Sequence, residues 1–140
     1  MDPRIKRLYW QVTALLLAAH FAGWAGGLPL AVSLTVWQAL HFGAYRRTLR
    51  ALDVQVRIGY AGLLMLGSLG PLWLIHLVQF VGVNAMLVAD YCLLARVMVL
   101  MPWNRGVPLS AGLVQQALFS PPAPGAIHHR LDLGPARGLG

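Results

Sequence analysis

Two histidines and one buried carboxylate are the residues best placed for chemistry. His20 lies near the end of one apolar run, and His76 lies five residues after Pro71, near the start of another. At similar depth on antiparallel helices, two imidazoles could ligate the iron of haem b on both axial faces. They could equally hydrogen-bond a quinone. Either arrangement would serve electron transfer. Asp90 is the one acid inside a long apolar run. Its position is about 28 Å down a helix from Pro71, and Arg57 is about 21 Å down the helix on the other side of that turn. A long arginine side chain reaches further along its helix, so an Arg57–Asp90 ion pair is expected, with Asp53 sharing the arginine at i,i+4. A lone carboxylate could also relay a proton. The single cysteine, Cys92, excludes an internal disulfide or a cysteine-cluster metal site, and His128 and His129 supply too few ligands for a metal. There is no phosphate-cradling glycine loop, nucleophile elbow, His-Glu-x-x-His pattern or carboxylate pair, so no catalytic residue is expected.

The elements that must position these groups are apolar. Of 140 residues, 58% are hydrophobic and 11% charged; a soluble domain carries about 25% charged residues. This composition argues against a soluble enzyme. The net charge is +7 and the pI about 10.8. The basic residues are interspersed between apolar runs and do not share one solvated face, which argues against nucleic-acid binding. A helix crossing the hydrocarbon needs about 20 mostly apolar residues. Four stretches approach this, at about 8–25, 28–45, 52–69 and 71–93, the last extending to 101.

The expected fold is therefore all-α: an integral membrane protein with four transmembrane helices as two hairpins over 1–107. An interfacial helix at 108–119 and a flexible or partner-bound tail at 120–140 would follow. In that layout all eleven Lys and Arg residues fall on one side, which by the positive-inside rule makes the protein multi-pass with both termini cytoplasmic. Trp10, Trp24, Trp73 and Trp103 would occupy the interfacial belts.

Within the fourth stretch, Gln79 and Asn84 flank the His76 side of the helix and are expected to form a polar face that docks a partner. Gly23, Gly59, Gly62 and Gly82 are expected to let helices pack closely, as small residues do in lipid.

From Asp53 to Asn104 the chain includes Asp-Val-Gln-Val-Arg-Ile-Gly-Tyr, Gly-Leu-Leu-Met-Leu-Gly and Asp-Tyr-Cys-Leu-Leu-Ala-Arg-Val-Met. This stretch resembles a family of small uncharacterised two-helix bacterial inner-membrane proteins. In that family the second helix closes on Cys-Pro-x-Tyr, whereas here Leu93 follows Cys92. The resemblance implies that Arg57 and Cys92 mark the cytoplasmic side. Ten Arg against one Lys also suits a GC-rich bacterial genome. The functional expectation is a small non-catalytic accessory or assembly subunit, with bound lipids, of a larger inner-membrane complex, respiratory or photosynthetic. The alternatives are a bis-histidine haem b electron-transfer protein using His20 and His76, and a small oligomeric transporter or channel.

Overall fold

The computed structural model describes residues 2–121. Helix α1 spans Pro3–Phe21. Asp2 caps it, its carboxylate accepting from the Arg4 N–H at 2.8 Å, and Pro3 sits at the first position, where a missing N–H costs little. The helix stops at a turn where Gly23 takes φ +97°, a conformation that excludes most side chains. Helix α2 spans Gly27–Arg46 and ends at Arg47 in the left-handed region. Helix α3 spans Leu52–Gly67. A 3₁₀ turn at Gly70–Leu72 leads into α4, Leu74–Ala89. Two short helices follow, α5 at Leu93–Val99 and α6 at Ala111–Phe119.

Helix α3 is the hub. It packs against α2, α4 and α5, while α1 lies against α2 and α4, and α6 rests on α5. The main core gathers Leu17, Ala31, Leu64, Val83 and Val99, all nearly or fully buried. A second cluster of Phe42, Ala51 and Val54 closes the joint between α2 and α3.

Among the described residues a single helical stretch, Gly70–Ala89, is long and apolar enough to cross a membrane; it has 20 residues and a mean hydropathy of 1.8. The four-span expectation is overturned, and the multi-pass topology built on it goes too. The reasons are physical. Helix α1 carries Arg4, Lys6 and Arg7 in its first turns. Helix α2 is long enough but falls short in mean hydropathy. Helix α3 has only 16 residues, about 24 Å against a hydrocarbon core of about 30 Å, and carries Asp53, Gln55 and Arg57. The fourth helix also fails to continue to 101. It ends where Asp90 adopts φ +54°, and Cys92 starts α5 by accepting from the Ala95 N–H at 3.4 Å. The 108–119 segment contains α6, which buries Leu113 and Ala117 against the rest of the chain and exposes Gln115 and Gln116. The tail at 122–140 lies outside the described residues.

Candidate functional site

Helix α4 is patterned in reverse of a soluble helix. Its buried positions are His76, Gln79 and Val83. The opposite face shows Leu74, Leu77, Val81 and Val88 to the exterior, the last at 85% exposure. Only 17% of the apolar window is buried. Helix α2 repeats the theme, with Thr35 and Gln38 buried and Val36, Trp37 and Leu40 exposed. Exposed apolar surface on this scale marks contact with membrane or protein.

The two expected histidines do meet. The His20 and His76 rings lie edge to face, with centroids 5.7 Å apart. A haem would place its macrocycle between them, with one nitrogen of each ring directed at the iron. Here the rings touch each other, and His76 Nε2 donates to the Leu64 carbonyl at 3.0 Å. His76 also fills the space left by Gly67, where an added Cβ would come within 2.7 Å of the imidazole. This arrangement does not fit a haem. His76 instead ties α4 to α3. Accordingly, His20→Ala is expected to leave the visible absorbance of protein incubated with haem b identical to that of the unsubstituted chain.

The expected Arg57–Asp90 pair is absent among the described residues. Asp90 is exposed beyond the end of α4. Arg57 is 3% exposed and lies in an aromatic sandwich, its guanidinium carbon 3.5 Å from the Phe42 ring centroid and 5.4 Å from that of Trp10. It donates to the backbone carbonyl of Asp53 at 2.6 Å. Burial pulls its pKa down to about 10, with the Asp53 charge opposing. Aromatic faces offer such a cation a partner away from water. The Asp53 carboxylate turns elsewhere, to Arg46 at 3.0 Å and Lys6 at 3.7 Å. One acid thus links the start of α1, the end of α2 and the start of α3. These pairs are partly solvated, so Asp53→Asn is expected to lower unfolding free energy by only about 1 kcal/mol, as read from denaturant titration in detergent.

The two residues expected to form a polar docking face do not share one environment. Gln79 faces α3, where its Nε2 donates to the Tyr60 carbonyl at 2.9 Å and Tyr60 returns its hydroxyl to the Gln79 carbonyl at 3.2 Å. Asn84 donates to Phe80 on its own helix at 2.7 Å. Of the four expected packing glycines, only Gly59 sits in a close contact, against Met98 on α5. Gly62 and Gly82 have open space where a Cβ would stand, and Gly23 serves a turn. The close approach of α1 to α2 occurs at Gly27 instead, where an added Cβ would lie 2.6 Å from the Leu16 carbonyl oxygen.

Two polar clusters carry no signal in sequence spacing. Gln55 and Asn104 exchange amide hydrogen bonds at 2.9 and 2.6 Å, and Trp103 Nε1 joins at 2.9 Å, which pins the turn after α5 onto α3. Arg96, 2% exposed, donates to the carbonyls of Ala117, Ser120 and Pro121 at 2.9–3.0 Å and to the Ser120 hydroxyl at 2.7 Å. It stacks on Tyr91, whose hydroxyl donates to Leu118 O at 2.6 Å. Both residues therefore grip the carbonyl end of α6, the end that attracts cations.

No protein-family model, curated protein or solved structure matches the chain.

Proposed function

We propose that the protein is a small non-catalytic accessory or assembly subunit, anchored in a bacterial inner membrane by Gly70–Ala89 and docked to a larger integral membrane protein. The observation that carries this reading is the reversed pattern of α4: polar His76 and Gln79 inside, aliphatic Leu74, Leu77, Val81 and Val88 outside. In water that arrangement wastes apolar burial; in hydrocarbon it is favourable. The exposed bases at the start of α1, Arg4 and Arg7, suit an anionic lipid surface.

The partner reading rests on α2. Its stripe of Val36, Trp37 and Leu40 is exposed, yet α2 is not apolar enough to count as a span. A protein surface suits such a stripe, and tryptophan is a frequent anchor of protein interfaces. The side chains that are buried and polar serve packing, so no residue is assigned to catalysis.

Native mass spectrometry tests this reading. The full chain, extracted in mild detergent from its own membrane, is expected in a heteromeric assembly of defined mass. A bare monomer or homo-oligomer would contradict the subunit reading and make transport the leading alternative.

A further inference from the structure

A groove of about 700 Å³ opens along the first half of α3. Arg50 stands just before the helix, and Ile58 and Gly59 lie about two turns into it. Met98 on α5 and Trp103, which is 56% exposed, add further apolar wall. Gln55 also lines the groove, but its amide is committed. Its Nε2 donates to the Arg50 carbonyl at 2.6 Å and to Asn104 Oδ1 at 2.9 Å, and its Oε1 accepts from Trp103 and Asn104. The Arg50 side chain is exposed and makes no hydrogen bond or ion pair among the described residues. The groove therefore offers one accessible cation and walls that are otherwise apolar.

Its cation lies at the basic end of the bundle. Arg7 donates to the Leu87 carbonyl, and Asp53 joins Lys6 and Arg46. These contacts bring the starts of α1 and α3 together with the ends of α2 and α4. Arg4, Arg47 and Arg50 belong to the same end, whereas the turns at the opposite end, 22–26 and 68–73, contain no charged residue. Helix α3 runs antiparallel to α4, as the Tyr60–Gln79 and Leu64–His76 hydrogen bonds require. The groove consequently leads from the basic end toward the apolar middle of the bundle, in the direction of the anchor helix.

We propose that this groove holds one anionic membrane phospholipid, its phosphate paired with the Arg50 guanidinium and one acyl chain lying over Ile58, Gly59 and Met98. Charge complementarity selects the headgroup, since the guanidinium fork matches phosphate oxygens. The apolar walls select a lipid over a free phosphate, which would leave Ile58 and Trp103 uncovered. The volume falls within the range of about 300–1,000 Å³ found for small-molecule sites, room for a headgroup and the upper part of one chain. The inference rests on the membrane anchoring proposed above. It does not rest on the partner, because Val36, Trp37 and Leu40 of α2 do not line the groove.

The test is native mass spectrometry of the full chain, stripped of lipid in detergent and titrated with dioleoyl-phosphatidylglycerol or dioleoyl-phosphatidylcholine. The first phosphatidylglycerol is expected to bind about fivefold tighter than the first phosphatidylcholine, the gain one arginine contributes at an anionic membrane surface. Arg50→Gln is expected to equalise the two lipids. Arg47→Gln removes the same charge from an exposed residue outside the groove and is expected to keep the preference. Equal affinities in the unsubstituted chain, or an equal loss in both variants, would overturn the proposal. A hundredfold excess of glycerol phosphate is expected to leave the lipid bound; its displacement would show a phosphate site that needs no chain, and would also overturn it. Phosphatidylglycerol with a diazirine on one acyl chain is expected to label residues 58–59 or 98, and adducts confined to other segments would contradict the placement. Flotation with phosphatidylcholine vesicles reads the anchor separately. A chain that floats but shows no preference for phosphatidylglycerol would overturn the groove alone, and a chain that does not float would overturn the anchor as well.

Discussion

Arg96→Met is expected to release α6 from the rest of the chain. The methionine keeps much of the aliphatic stem but loses all four hydrogen bonds to residues 117–121. Hydrogen bonds from a charged donor contribute about 1.5–3 kcal/mol each, and the freed carbonyls at the end of α6 regain water in part. The expected net loss is about 3 kcal/mol for the docking of α6. The Tyr91 hydrogen bond and the buried side chains of Leu113 and Ala117 would still hold it. Hydrogen exchange should report this directly, with amides of 111–119 exchanging about 100-fold faster while those of α1 to α4 stay unchanged. Arg96→Lys keeps the charge but not the planar fork that reaches several carbonyls together, so an intermediate rate is expected. Unchanged protection in Arg96→Met would show that the apolar contacts alone dock the helix.

Gly27→Leu is expected to open the α1–α2 hairpin. An added Cβ would lie 2.6 Å from the Leu16 carbonyl oxygen and 2.7 Å from the His20 nitrogen. Both are backbone atoms, so no side-chain rotation relieves the overlap. Gly27→Ala should already cost about 2 kcal/mol, and the leucine about 3 kcal/mol or more, by forcing the backbones apart. Because His20 lies at the contact, its edge-to-face meeting with His76 should be lost as well. Gly62 is the internal control. It has nothing within 4 Å of the added Cβ, and alanine there should stabilise α3 by about 0.5–1 kcal/mol through helix propensity. Denaturant titration of the three variants in one detergent separates the effects. Equal stabilities for Gly27→Ala and Gly62→Ala would contradict the packing described.

The contrast between these two glycines shows what spacing along a chain conveys. The four long apolar runs were legible as helices, and Gly27, Arg46 and Arg47 marked the ends of α2 closely; α1 starts five residues before the expected 8, and α4 stops at Ala89, short of the expected 93–101. Whether each run spans a membrane was not legible from apolar content, since a buried helix and a spanning helix have similar composition. Length, mean hydropathy and charge separate them, and among the described residues only Gly70–Ala89 meets all three requirements.

The meeting of His20 with His76 was legible from matched depth, but its chemistry was not. The carbonyl of Leu64 that occupies His76 lies on another helix. The Arg57–Asp90 pairing assumed an unbroken helix through Asp90; the left-handed turn there carries the carboxylate away, and Phe42 and Trp10 take the guanidinium. Gln55 and Asn104 are 49 residues apart, and Arg96 reaches partners 21 to 25 residues on. Such tertiary hydrogen bonds leave no periodic trace.

The most direct test of the central claim is photo-crosslinking in the native membrane, with a diazirine side chain placed at position 37 on α2 or at position 81 on α4. The account predicts a protein adduct of one discrete mass from position 37 and lipid adducts from position 81. Lipid or solvent products alone from position 37, with no discrete protein adduct, would contradict docking to a partner through α2.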